Sequence, residues 1–349
     1  MEKILVAMSG GVDSTVTAYL LQQAGCDVIG GMMRLYESET ACGSTADAED
    51  ARRVAERLGI PFHLFTCTDA FKTAVMDRFA AAYERGETPN PCVDCNRYMK
   101  FGWLLDRARL LGCDGMATGH YARVEREEDR WLLKKAADLS KDQSYFLYAL
   151  TQEQLARVRF PLGSLTKDEA RQIAETQGFQ NARKKDSQDI CFVPNGDYAA
   201  VIRRLTGRDY PSGNFVDRDG RVLGTHKGLI HYTVGQRKGL GLSLPAPLYV
   251  CEKRTADNAV VLGPGEALLS AELTACDCNW IKWETPPPSF RCAARIRYQH
   301  KEQPATVYPQ ENGKMQVVFD QPQRAAAKGQ AVVLYDGDTV LGGGTICDG

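Results

Sequence analysis

Two kinds of residue in this 349-residue chain have types and spacing suited to chemistry. The first is the run Ala7-Met8-Ser9-Gly10-Gly11-Val12-Asp13-Ser14, set between the apolar Ile4-Leu5-Val6 and a helical pattern from Thr15 to Gln23. Two glycines let the backbone approach a phosphate with no Cβ in the way. The Ser9 and Ser14 hydroxyls and the amides that open a helix can then donate to phosphate oxygens. Asp13 is a candidate to share a Mg2+ ion that offsets the phosphate charge. The spacing lacks the Gly-Lys-Ser/Thr ending of a Walker loop and does not follow G-x-G-x-x-G. The second kind is thiol. Cys92 and Cys95 form a C-x-x-C after two prolines and before a helical stretch from Arg97 to Arg109. A helix amino terminus, helped by Arg97 and Lys100, favours the thiolate there. Cys191 ends the run Lys184-Lys185-Asp186-Ser187-Gln188-Asp189-Ile190-Cys191. By spacing alone, the C-x-x-C also reads as half of a structural zinc site and Cys191 as a packing cysteine.

The elements that must position these groups follow from periodicity. From Lys3 to about Leu205, short apolar strands alternate with helical segments: Ile4 to Ala7, helix 15 to 24, Val28 to Met33, helix Ala46 to Leu58, Phe62 to Phe65. This βαβ order predicts an α/β domain with a parallel sheet, whose strand carboxyl ends hold the ligand. The loop after Val6 and the stretch Met116-Ala117-Thr118-Gly119-His120 both emerge there. Leu165 to Thr176 reads as a capped, solvated helix. After about residue 206 glycine and proline become frequent and strand-like runs appear at 213–216, 249–252 and 260–262. These predict a small β domain over 206–272. Runs at 293–298, 316–319, 331–335 and 340–346 predict a β-barrel over 273–349.

Composition narrows the class. Hydrophobic content of 44% and charged content of 25% suit a soluble globular protein, and no stretch reaches the ~18 apolar residues of a membrane span. The amino terminus shows no signal-peptide pattern, so the cytoplasm is the expected compartment and most of the twelve cysteines are expected reduced. Cys26, Cys67, Cys113, Cys251, Cys276, Cys278, Cys292 and Cys347 are expected to pack. A net charge of −1 gives no global pull on nucleic acid, which leaves local basic clusters, Arg183-Lys184-Lys185, Arg203-Arg204 and Arg237-Lys238, as candidates to bind phosphate.

The loop resembles the SGGxDS motif of the PP-loop, or N-type, ATP pyrophosphatases, a Rossmann-like fold. Further blocks extend the likeness: Asn90-Pro-Cys-Val-Asp-Cys-Asn-Arg-Tyr-Met-Lys-Phe101, Ala117-Thr-Gly-His-Tyr121, Lys141-Asp-Gln-Ser-Tyr-Phe-Leu147, Asp186-Ser-Gln-Asp-Ile-Cys-Phe192, the stretch from His231 to Leu240 and Gly342-Gly-Gly-Thr-Ile346. In this order they resemble the tRNA-specific 2-thiouridylases of bacteria across nearly the whole chain. The resemblance implies ATP-dependent replacement of the C2 oxygen of the wobble uridine (U34) by sulfur, in tRNAs of the lysine, glutamate and glutamine type. It implies ATP and Mg2+ as cofactors and a sulfur donor protein or sulfide as partner. Ala7 to Ser14 would bind ATP, with Met33 and Gly119 against the adenosine. Cys191 would carry a persulfide and Cys95 would be the nucleophile that resolves it. His120, Lys141, Asp142, Gln143, Arg297, Tyr298 and Gln330 are candidate tRNA contacts. One position departs from the pattern: Cys92 stands where the family has an acid/base Asp. Proton transfer would then fall to Cys92, Asp94 or water, and a second scheme opens in which Cys92, Cys95 and Cys191 hold a [4Fe-4S] cluster. A PP-loop amide ligase would use the loop without the thiols, and a metal- or redox-dependent RNA-binding protein the thiols without the loop.

Overall fold

The computed structural model describes residues 1–36, 44–184, 190–243 and 246–348. Lys185 and the Asp186-Ser187-Gln188-Asp189 part of the second cysteine block lie outside the described residues. The chain opens with β1 (Lys3–Ala7), α1 (Val12–Gln23), β2 (Asp27–Arg34), α2 (Thr45–Leu58) and β3 (Phe62–Thr66), close to the periodicity. Next come β4 (Gly115–Ala117), a hairpin of β5 (Ala122–Glu127) and β6 (Arg130–Lys135), and β7 (Val158–Arg159). Five of these strands form a parallel sheet in the order β3-β2-β1-β4-β7. Ile4, Leu5 and Val6 of the central β1 have no exposed surface, because helices cover both faces. The chain steps outward from β1 to β3 and restarts at β4 on the other side of β1. That reversal opens a crevice at the carboxyl ends of β1 and β4, where the phosphate loop and Gly119 meet.

The middle sheet, order β10-β11-β8-β9, comprises β8 (Gly213–Val216), β9 (Val222–His226), β10 (Tyr249–Arg254) and β11 (Ala259–Gly263). The last region holds β12 (Leu269–Trp280), β13 (Phe290–Arg295), β14 (Gln303–Pro309), β15 (Met315–Arg324), β16 (Ala331–Asp336) and β17 (Thr339–Cys347). Pairing of β12 with both β15 and β17 closes these six antiparallel strands into a barrel. Ala275, Ala294, Val307, Met315, Val317 and Leu334 fill it. Two features cross the boundaries read from sequence. β12 starts at Leu269, ahead of residue 273, and the β5–β6 hairpin joins the barrel sheet through Leu133 and Lys134 against Val340 and Thr339.

Cross-domain bonds fix the stretch before the C-x-x-C. Thr88 N donates to Lys328 O at 2.8 Å, and Gln330 Nε2 donates to Thr88 O at 2.8 Å. Lys253 Nζ from the middle domain donates to Glu87 O at 3.0 Å. Arg97 is ion-paired with Asp277 of β12. The segment that aims the cysteines is therefore held by all three regions.

Candidate active site

The phosphate loop owes its shape to a clamp on its carbonyl side. Gly10 has φ +72°, and a Cβ there would come within 2.5 Å of Asp47 O, so both the backbone angle and the space demand glycine. Asn181 Nδ2 donates to Gly10 O at 3.1 Å, and the Thr15 hydroxyl donates to Gly11 O at 3.0 Å. In a trans peptide plane the carbonyl and the following amide point opposite ways. Carbonyls drawn into the protein therefore turn the Gly11 and Val12 amides outward, at the positive end of α1. Ser14 Oγ accepts from Ser9 N at 3.1 Å and donates to Gly11 O at 3.1 Å, closing the turn.

Asp13 lies in the first turn of α1, with both carboxylate oxygens 2.8 Å from Lys167 Nζ and one 3.0 Å from the Tyr121 hydroxyl. Lys167 is only 4% exposed and opens the helix Lys167–Thr176, which Thr166 and Glu169 close with a capping box. The sequence reads this helix as capped and solvated; the cap is present, but Ala170 and Ala174 pack into the core and Lys167 points into the crevice. A lysine in a first turn opposes the helix dipole, and this misplacement was the signal in the sequence that could have exposed it. Asp13 would share a Mg2+ ion only as Lys167 yields an oxygen. Gly119, after β4, packs so closely on α1 that a Cβ would lie 2.8 Å from Asp13 Cβ and 3.0 Å from Ser14 N.

The thiols sit beside this crevice. Residues 91–110 form one helical run whose middle, Cys95–Leu104, is wound as a π-helix. Asn90 caps it by accepting from Cys92 N at 3.2 Å, and Pro91 occupies the first turn, where no amide hydrogen is needed. Cys95 and Cys191 are half-buried and border one apolar cluster built on Phe71, Phe79, Met99 and Phe192. Met33 and Tyr36, at and beyond the carboxyl end of β2, pack on the same cluster, and the Tyr36 hydroxyl donates to Cys191 O. Cys92 is exposed and takes no part in the cluster. Among the described residues no three His, Cys, Asp or Glu side chains come together as a metal site, so Cys92, Cys95 and Cys191 as placed do not fit an iron–sulfur cluster. Asp94, beside Cys95, has its pKa raised by burial, opposed by Arg78 and Arg97.

The candidate tRNA contacts divide. Arg297 is exposed, and Tyr298 is half-buried with its ring 4.4 Å from that of Phe146. Lys141 is half-buried and Gln143 accepts from Tyr121 N at 3.0 Å. Asp142, 4% exposed, accepts from Ala136 N at 3.1 Å and from the Ser144 hydroxyl at 2.9 Å, an internal anchor. His120 is buried against Phe101 and Phe160. Burial, reinforced by Lys100 Nζ 3.4 Å from its Nε2, holds its pKa well below the usual value. Gln330 is engaged by Thr88. Of the basic clusters, Arg237 and Lys238 are exposed, whereas Lys184 is paired with Asp47 and Asp50.

Comparison with known proteins bears on this arrangement. Family models match residues 2–195 (described as tRNA methyl transferase HUP domain), 201–264 (tRNA methyl transferase PRC-barrel domain) and 270–346 (aminomethyltransferase beta-barrel domain). A protein of Clostridioides difficile (strain 630) named tRNA-specific 2-thiouridylase MnmA is 46% identical over 99% of this chain and 98% of its own. One of Thermoanaerobacter sp. (strain X514), named tRNA-specific 2-thiouridylase MnmA 1, is 49% identical over 99% of this chain and 97% of its own. This chain belongs to the tRNA-specific 2-thiouridylase family. Membership extends across the nucleotide crevice, the middle sheet and the barrel. Among the described residues no helix is long and apolar enough to cross a membrane.

Proposed function

We propose that this chain is a cytoplasmic tRNA sulfurtransferase that uses ATP to replace the C2 oxygen of the wobble uridine with sulfur. One observation carries the reading. Cys95 and Cys191 share a cluster with the carboxyl end of β2, next to the strand whose carboxyl end bears the phosphate loop. An adenylating site and a sulfur-relay site are thus neighbours, as an activated base and its nucleophile must be. The names of the relatives support thiolation, whereas methyl transfer, the wording of the family models, would leave the thiols unused.

The uridine O2 attacks the α-phosphorus of ATP; pyrophosphate leaves and the C2–O bond becomes part of an AMP ester, a good leaving group. The outward amides of Gly11 and Val12 and the Lys167 ammonium face the phosphates, with Mg2+ supplying further positive charge when bound. The terminal sulfur of a Cys191 persulfide attacks C2, and AMP departs. The Cys95 thiolate then attacks Cys191 Sγ, releasing 2-thiouridine and leaving a Cys95–Cys191 disulfide. Two routes restore the persulfide. A thiol reductant opens the disulfide, and a donor protein's persulfide then passes its outer sulfur to the Cys191 thiolate, the donor leaving as a thiol; or sulfide attacks Cys191 Sγ of the disulfide directly and the Cys95 thiolate leaves. The proton that Cys95 gives up for its attack on Cys191 would pass to Cys92, Asp94 or water. The flipped base must recover the few kcal/mol of lost stacking from contacts such as Arg297 and Tyr298.

The test is thiolation of unmodified lysine, glutamate and glutamine tRNA transcripts, read by retardation in mercury-containing gels, beside iron and sulfide analysis of anaerobically purified protein. Iron-free protein that thiolates a wobble uridine but not a cytidine at that position bears the proposal out. Activity that follows bound iron would overturn the persulfide route.

A further inference from the structure

The barrel carries a second group of thiols that the chemistry above does not use. Cys276 and Cys278 lie on β12, and Cys347 ends β17, the strand whose pairing with β12 closes the barrel. In that antiparallel pair Thr274 faces Cys347, Ala275 faces Ile346 and Cys276 faces Thr345. Ala275 and Ile346 are buried in the barrel core, so strand alternation sends Cys276 and Cys347 to the outer face. They stand there on the diagonal along which side chains of neighbouring strands still meet. The two thiols are hydrogen-bonded to each other, and Cys276 Sγ also donates to Thr345 O at 3.5 Å. Both cysteines are half-buried. Cys278 is set apart from them. The register of β12 against β17 shifts between Cys276 and Asn279, with Asp277 at φ +52°. This bulge breaks the alternation, and Cys278 packs on the barrel core with its Sγ 3.7 Å from Ala275 O.

We propose that Cys276 and Cys347 form a reversible disulfide by exchange with a small-molecule disulfide of the glutathione class. The bulge frees β12 from the ladder immediately after Cys276, which gives the strand the play that two sulfurs in hydrogen-bond contact need to reach bonding distance. Burial, and then the hydrogen bond with Cys276, push the Cys347 thiol up to about 12, so Cys347 keeps its proton at neutral pH and Cys276 reacts first. Cys276 Sγ attacks one sulfur of the small disulfide, whose S–S bond breaks; one small thiol leaves with the proton that Cys276 gives up. In the mixed disulfide Cys276 loses its hold on the Cys347 proton. Cys347 Sγ then attacks Cys276 Sγ, and the second small thiol leaves with that proton. Two electrons and two protons thus pass from the pair to the small disulfide, and the bond staples β12 to β17 at the seam of the barrel. The site is separate from Cys95 and Cys191 and does not rest on the reading of the active site.

The experiment equilibrates the full native chain in glutathione buffers stepped from fully reduced to strongly oxidised. Acid quenching and alkylation block the remaining thiols, and mass spectrometry maps the peptides that carry a disulfide link or a glutathione. A peptide pair linked through Cys276 and Cys347 should appear as the buffer becomes oxidising and disappear when reduced glutathione is restored. Cys347→Ser removes the second attacking sulfur and should stall the exchange with glutathione retained on Cys276. Three results in the native chain overturn the inference: glutathione on the two cysteines singly with no link between them, a link that runs through Cys278 instead, or both thiols still free in the most oxidising buffer. Because these are read in the native chain, a serine variant that fails to fold does not shelter the proposal.

Discussion

Lys167 Nζ is 2.8 Å from each carboxylate oxygen of Asp13, and this pair joins two helices at the mouth of the nucleotide crevice. The two partners are unequally hidden, with side-chain exposures of 5% for Lys167 and 29% for Asp13. Asp13→Asn therefore takes a full counter-charge from a buried ammonium, a change worth about 3 kcal/mol of stability. Lys167→Met leaves a carboxylate that water can reach and should destabilise less. Thermal unfolding of both variants checks the order; a larger loss in Lys167→Met contradicts it. Both should lower ATP-dependent turnover at least ~100-fold, in the range for removal of one transition-state charge partner.

Gly119→Ala tests the crevice through shape alone. The added methyl meets Asp13 Cβ and the Ser14 amide, both on the first turn of α1, and pushes that turn from β4. Overpacking of this kind costs about 1–3 kcal/mol. The KM for ATP should rise more than the KM for tRNA, as steady-state kinetics with each substrate varied would reveal.

Lys253 predicts a pH dependence. Burial pulls its pKa down to about 8, with Glu87 opposing, and its Nζ donates to Glu87 O while lying over the Tyr83 ring. Unfolded, a lysine titrates near ~10.4, so between these two values the unfolded chain binds the proton that the folded chain has released. Stability contributed at this site therefore rises with pH across that window, by about 3 kcal/mol at most, and the deficit is fully present below pH ~8. Lys253→Met should gain stability over the native chain at pH 7, and the gain should shrink towards pH ~10.5. Denaturant unfolding at pH 7 and pH 10 measures it; a gain that stays constant, or grows, rejects the assignment.

The three cysteines of the two blocks should behave differently. Cys95→Ser and Cys191→Ser should fall to background in tRNA thiolation, because Cys191 carries the sulfur to be transferred and Cys95 releases it to the base. Exposed Cys92, outside the cluster, should keep activity within ~100-fold on replacement by serine, the lower end of a general acid–base contribution. Loss of activity in Cys92→Ser equal to that in Cys191→Ser would contradict the thiol-only scheme.

Much of the nucleotide site was legible because its parts are local. Ser9-Gly10-Gly11-Val12-Asp13-Ser14 carries its own turn, and the apolar Ile4-Leu5-Val6 announces the central strand. The partners of that loop were not legible: Lys167, Asn181 and Lys184 arrive from more than 150 residues away, and only the parallel sheet brings them to Gly10 and Asp13. Lys184 read as part of a basic run that could bind phosphate because its counter-charges, Asp47 and Asp50, lie on another helix. His120 and Asp142 read as candidate tRNA contacts for the same reason, since aromatic packing around one and backbone amides around the other are tertiary facts. The short β4 and β7, and the β5–β6 hairpin that joins the barrel, carry too few residues to show a period.

The central claim is that ATP is split to activate a uridine for sulfur. Its most direct measurement is a single reaction with α-labelled ATP, sulfide and a tRNA bearing the wobble uridine, in which AMP, pyrophosphate and 2-thiouridine are counted together. The account predicts one AMP and one pyrophosphate for each 2-thiouridine formed, with neither product made when the wobble base is cytidine. ADP and phosphate as products, or 2-thiouridine formed without ATP cleavage, would contradict it.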